Sequence, residues 1–77
     1  MDIRIAEDFW AGRMLPEGIV ERWIAEHGSQ VEAGAPVAEV RIEDSLHEII
    51  APVSGRLVAY VAKNDIVEPG SVIGQIA

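Results

Sequence analysis

Apolar and polar residues alternate along two adjoining arms within residues 39–55, which read Glu39-Val40-Arg41-Ile42-Glu43-Asp44-Ser45-Leu46-His47-Glu48-Ile49-Ile50 and then Ala51-Pro52-Val53-Ser54-Gly55. Alternation of this kind predicts half-buried strands, and a polar centre between two such arms predicts a hairpin. A turn over Ile42-Glu43-Asp44-Ser45 puts Glu43 and Asp44 at its tip. Ile42 then faces Ser45, Arg41 faces Leu46, Val40 faces His47, Glu39 faces Glu48 and Ala38 faces Ile49. Strand side chains alternate between faces, so Ala38, Val40, Ile42, His47 and Ile49 share the inner face. Glu39, Arg41, Leu46 and Glu48 share the outer one, where Arg41 is placed diagonally to relieve the repulsion between Glu39 and Glu48. Asp44 is held out into solvent on a stiff two-stranded arm.

The rest of the chain also reads as strand and turn. Residues 2–5 alternate, with Ile3 and Ile5 on one face. Residues 6–13 read as a loop holding Phe9 and Trp10, either as a cap on one end of the core or as a partner contact. Residues 18–25 are rich in Ile, Val and Trp and predict a strand. Residues 26–29 form a turn. Residues 31–36 are a short strand running into a second turn, where Gly34 can supply a positive φ.

The second half repeats the first. Gly18-Ile19-Val20 matches Gly55-Arg56-Leu57, and Trp23-Ile24-Ala25 matches Tyr60-Val61-Ala62. After a one-residue gap, Val31-Glu32-Ala33-Gly34 matches Val67-Glu68-Pro69-Gly70, with Val37 on Ile73 and Val40 on Ile76. Two copies at a fixed offset predict two interlocked sheets about a pseudo-twofold axis, an all-β sandwich or barrel with residues 39–52 as the tip hairpin. Both termini should then lie together.

The chain of 77 residues is expected to form one domain spanning residues 1–77. Without cysteine it has neither a disulfide nor a thiolate metal site, which fits a reducing cytoplasm. The formal net charge of -7 argues against nucleic acid or an anionic membrane as partner and favours a protein with a basic surface. No run is long enough to span a bilayer, and Met1-Asp2-Ile3-Arg4 does not open a signal peptide.

On these residues the chain resembles the biotinyl/lipoyl attachment domain family, more closely its lipoyl side. The resemblance rests on Gly18-Ile19-Val20, Trp23-Ile24, residues 31–40, Ala51-Pro52-Val53-Ser54-Gly55 and Val67-Glu68-Pro69-Gly70. Glu43 before the tip and Ser45 after it are similar to the Asp-Lys-Ala of lipoyl domains and unlike the Met-Lys-Met of biotinyl ones. The resemblance implies a flattened barrel-sandwich of two four-stranded antiparallel sheets. It also implies a tip lysine bearing lipoate or biotin, which ferries groups between the active sites of a multienzyme complex such as a 2-oxo acid dehydrogenase. Glu39-Val40 on one side and Ala51-Pro52 on the other place Asp44 where that lysine belongs. A carboxylate cannot be the amine nucleophile that amide attachment needs, so neither cofactor is expected by the family's route.

The expectation is therefore a carrier-type domain without its arm, binding or assembling partners. Glu43, Asp44, Ser45 and Leu46 would form the contact tip, with Phe9 and Trp10 beside it. One alternative keeps a swinging arm, either on Lys63, the sole lysine, or with a residue other than the natural one at position 44. Another makes the chain a structural piece of a larger assembly. Glu43, Asp44, His47 and Glu48 carry metal-ligating groups, but the register sends His47 inward and Glu48 outward, so no metal site is expected. His47 is expected as a partly buried imidazole bonded to backbone, and His27 as a solvated turn residue. No nucleophile–base set or phosphate-binding glycine loop can be assembled, so the chain is not expected to be an enzyme.

Overall fold

The computed structural model describes residues 1–77, which form eight strands and a short 3₁₀-helical turn. The strands are β1 (Asp2–Arg4), β2 (Gly18–Trp23), β3 (Gln30–Val31), β4 (Pro36–Ile42), β5 (Ser45–Ile50), β6 (Gly55–Ala59), β7 (Ile66–Val67) and β8 (Val72–Ile76). One sheet runs β1-β8-β6-β3 and the other β5-β4-β2-β7, and every pairing is antiparallel. The molecule is flattened, 35 × 20 × 16 Å. The expected barrel-sandwich of two four-stranded sheets is the observed fold.

One apolar cluster fills the space between the sheets. Ile3, Val31, Leu57, Ile73 and Ile76 come from the first sheet, and Val20, Val37, Ala38, Val40, Ile42, Ile49 and Val67 from the second. Ala38, Val40 and Ile42 alternate along β4, which is why a period of two was legible there; Val37 is buried as well, at the register shift between Pro36 and Ala38. Each large aliphatic side chain buried here stabilises the fold by about 1.5–3 kcal/mol. No polar residue is buried.

The two sheets are one arrangement built twice. β4, β2, β7 and β5 correspond to β8, β6, β3 and β1, so each half donates its short strand to the other half's sheet. The turns match bond for bond. Gly34 N–H donates to Ala51 O and Ala51 N–H to Ala35 O; in the other half Gly70 N–H donates to Ile5 O and Ile5 N–H to Ser71 O, all at 2.9 Å. Gly34 and Gly70 take φ of +87° and +83°, the left-handed region that glycine enters without steric cost. The termini lie together, with Met1 N donating to Ile76 O at 2.9 Å and Ile76 N–H to Met1 O at 2.8 Å.

The repeat needs one correction. Beyond Val20 the equivalences run at a different offset from the one the sequence suggests. Ile24 and Tyr60 both donate to the equivalent carbonyls Val37 O and Ile73 O. The 26–29 turn closes with Ser29 N–H to Glu26 O, and its counterpart with Asp65 N–H to Ala62 O. Gly28 and Asn64 are the matching positive-φ residues, at +87° and +75°. Lys63 is thus the counterpart of His27, and Tyr60 that of Ile24, not of Trp23. The extra residue of the first half is a β-bulge: β2 slips against β4 between Val20 and Arg22, leaving Glu21 unpaired in the ladder. β6 pairs with β8 without a bulge.

A second difference lies in residues 6–13, read as a loop. Glu7–Trp10 is a 3₁₀-helical turn whose Trp10 side chain enters the core at 8 % exposure. That corrects the placement of Trp10 on a contact surface, because a buried indole presents nothing to a partner.

Candidate functional site

The β4–β5 hairpin has the expected register at every pair from Ala38↔Ile49 to Ile42↔Ser45. Its two-residue turn puts Glu43 and Asp44 in solvent. Glu43 has φ +54°, in the left-handed range that non-glycine residues seldom adopt. A non-glycine residue in this region carries a steric cost of about 1 kcal/mol, so the turn needs support from its neighbours.

That support comes from residues 9–14. Met14 N–H donates to Glu43 Oε2 at 3.1 Å, and the Arg13 guanidinium donates to Ser45 Oγ at 2.9 Å. The Phe9 ring stacks on the His47 imidazole with centroids 4.7 Å apart and planes 17° from parallel. Three contacts in a row thus seat the 9–14 segment against the hairpin, so Phe9, Arg13, Met14, Glu43, Asp44, Ser45 and Leu46 lie on one continuous surface. Arg13 and Met14 were not singled out from the sequence, because an isolated arginine in an aperiodic loop carries no signal of what it will reach.

Of the expected tip residues, Glu43, Asp44 and Leu46 are exposed, and Ser45 and Phe9 are half-buried. His47 faces inward as expected, but a backbone partner is absent: its Nε2 is buried without a hydrogen bond. The Trp10 Nε1 shares that condition. An unpartnered buried nitrogen costs about 1–3 kcal/mol, and stacking on Phe9 offsets part of this for His47. His27, in its exposed turn, accepts a bond from Ala59 N–H at its Nδ1, 3.0 Å away. No three of the His, Asp and Glu side chains come close enough to hold a metal ion.

The electrostatics of the outer face also differ from expectation. Arg41 does not reach Glu48; it donates to Glu21 at 2.8 Å. The cation beside Glu39 is Arg22, on the neighbouring strand, which donates to Glu39 Oε1. The register places both pairs: Arg22 lies directly opposite Glu39, and the bulge leaves Glu21 beside Arg41. The hydrogen bond from Arg41 holds the Glu21 carboxyl below its usual range, and Glu21 in turn raises Arg41, with Asp44 adding a smaller attraction. Arg22 is raised by its bond to Glu39, with a smaller contribution from the charge of Glu48. Next to these pairs lies a shallow groove of about 210 Å³ whose lining includes Leu15, Ile19, Ile66, Arg41 and Glu43.

This geometry, a small symmetric barrel-sandwich with a protruding two-residue turn, has known counterparts. The solution structure of the lipoyl domain of the 2-oxoglutarate dehydrogenase complex from Azotobacter vinelandii superimposes with a TM-score of 0.70 over 82 % of this chain and 81 % of that one, at 19 % identity. At that identity the likeness is one of fold. In sequence, the dihydrolipoyllysine-residue acetyltransferase component of the pyruvate dehydrogenase complex of Corynebacterium glutamicum is 35 % identical over 66 residues, which is 84 % of this chain. The chain spans only about a tenth of that relative's length, since the match covers 10 % of it. The model of the biotin/lipoyl family, described as that of biotin-requiring enzymes, matches residues 10–76, from Trp10 to the last strand. With that match over most of its length, the chain belongs to the biotin/lipoyl attachment domain family.

Proposed function

We propose that this chain is a carrier-type domain disarmed at its attachment position, serving as an unmodified protein-binding or assembly module of a 2-oxo acid dehydrogenase-like system. The observation that carries the reading is Asp44. It occupies the second position of the exposed hairpin turn, on a support of three contacts from residues 9–14. A tip lysine would be the amide-forming nucleophile there; a carboxylate is not one. Lys63, the sole lysine, lies in the turn between β6 and β7.

The tip is suited to recognition. Glu43 and Asp44 present two carboxylates next to exposed Leu46. An acidic, protruding patch accelerates encounter with a basic partner more than it tightens the final complex, while the apolar side chain beside it contributes contact area. Phe9 acts from behind, holding His47 and the hairpin in place. The relative from Corynebacterium glutamicum, a component of a pyruvate dehydrogenase complex, points to the subunits of such complexes as the partners to try first.

The reading is tested by biolayer interferometry of the chain against the purified subunits of a 2-oxo acid dehydrogenase complex. Asp44→Ala combined with Leu46→Ala should lower affinity at least tenfold, chiefly through the association rate at low salt. Binding unchanged in the double variant contradicts a contact at the tip.

A further inference from the structure

We infer that the free edge of β5 is a strand-addition site for an extended segment of another protein, one that carries apolar, basic and apolar side chains at alternate positions. The inference extends the protein-binding reading to an adjoining surface that shares Leu46 with the tip, and it does not depend on what Asp44 contacts.

Sheet edges present unpaired backbone groups, and natural sheets blunt them by keeping edge strands very short. Three of the four edges here follow that rule: β1 has three residues and β3 and β7 two each. β5 has six, with no proline and no bulge within Ser45–Ile49. None of its backbone groups is bonded outside the ladder with β4. In an antiparallel ladder the residues of non-hydrogen-bonded pairs turn their N–H and C=O away from the partner strand. The turn closes on Ile42↔Ser45, so those residues in β5 are Leu46 and Glu48, and Ile50 continues the series.

The same three residues carry the side chains exposed on the outer face. Leu46 is 51 % and Ile50 55 % exposed, and Glu48 between them is exposed too. An added strand would place its own side chains directly beside these. Opposite Leu46 and Ile50 apolar side chains bury area. Opposite Glu48 a basic one is favoured, because the nearest arginine, Arg22, is already bonded to Glu39 and Glu48 is in no ion pair. Beyond Ile50 the edge opens into a groove of about 250 Å³ lined by Asp2, Ile3, Arg4, Ile50 and Pro52, so β1 does not close it off. A second copy of the chain fits less well. Antiparallel pairing of two β5 strands centred on this stretch sets Glu48 against Glu48, and each copy brings a net charge of -7.

The test is an NMR titration of the nitrogen-15-labelled full chain with an acetylated peptide of about six residues, the length of a common strand. The peptide has valine, lysine and valine at alternate positions with threonine between. Saturable shifts at the Leu46, Glu48 and Ile50 amides are expected, and N-methylating the peptide amides that face β5 should abolish them. Exchanging the peptide lysine for glutamate should weaken binding about five- to tenfold, and Glu48→Lys should reverse that preference. Asp44→Ala should leave all of this unchanged, which separates the edge from the tip. Absence of saturable shifts, equal binding of the lysine and glutamate peptides, or shifts confined to residues 9–15 and 43–45 would overturn the inference.

Discussion

The two halves of the chain share a backbone plan but do not share a surface. In both halves a positive-φ glycine turns the chain at residues 34 and 70, and the strands that follow bury matched aliphatics, Val37 with Ile73 and Val40 with Ile76. The outer faces then diverge. The first half's sheet has two cross-strand ion pairs, Arg22–Glu39 and Arg41–Glu21. The corresponding ladder of the second half pairs Val58 with Gln75 and Ala59 with Gly74, all uncharged. The first half runs on into the six-residue edge strand β5, whereas the second ends in the pairing of Met1 with Ile76. The core is therefore governed by symmetry and the surface by departures from it. One inserted residue, Glu21, adds the second pair: it supplies the partner of Arg41, while Arg22 keeps the ladder place opposite Glu39 that Val58 holds opposite Gln75.

The shared plan is tested most severely in the core. Ile73→Ala, at a fully buried position, should cost about 2–5 kcal/mol in urea unfolding, since the tightly packed site cannot collapse around the void. A smaller and sharper test uses the paired turns. Gly34→Ala and Gly70→Ala meet no close neighbour, so each should cost about 1–2 kcal/mol for the left-handed backbone alone. The two losses should be similar and add in the double variant; a strongly unequal pair would break the equivalence of the halves.

Departures from symmetry should cost less. His47→Phe replaces a ring whose Nε2 has no partner with one that needs none, so it should be neutral or stabilise by up to about 1 kcal/mol. A marked destabilisation would show that His47 has a polar role that the stack on Phe9 does not describe. Excising Glu21 gives the smallest effect. β6 pairs without a bulge, so the shortened chain should fold, with a loss well below that of Ile73→Ala. It should also remove one pH-dependent contribution. The Glu21 carboxyl is held below its usual range when folded, so its pairing stabilises above the ordinary glutamate range and is lost as pH falls through the lowered folded value. Unfolding curves for the two chains should therefore converge toward acid pH and, because the pair is exposed, at high salt.

Much of this architecture was legible because it depends on period-two patterning and on matched offsets. The hairpin register followed from alternation on both sides of a two-residue turn, and the core pairs followed from the repeat. The bulge was not legible. A one-residue difference between the halves can be placed anywhere between Val20 and Val31 without disturbing the flanking matches, and residue similarity favoured the turn, setting Trp23 against Tyr60. The backbone bonds of Ile24 and Tyr60 place it at Glu21 instead. The ion pairs were hidden for the same reason, since they depend on how β2 meets β4. Trp10 and Arg13 lie in a segment without periodicity, where sequence gives no direction to a side chain. At the site, the position and exposure of Asp44 could be read from the sequence, but the support from Phe9, Arg13 and Met14 could not.

The central claim, a sound carrier scaffold disarmed at one position, is tested most directly by intact mass. The chain and its Asp44→Lys variant would each be expressed with a lipoate ligase and, separately, a biotin ligase. The account predicts that the native chain gains no mass and that the variant gains one lipoyl group. A native chain that gains a lipoyl or biotinyl group at Lys63 would contradict it. So would a folded variant that gains none, because the scaffold would then have lost more than its lysine.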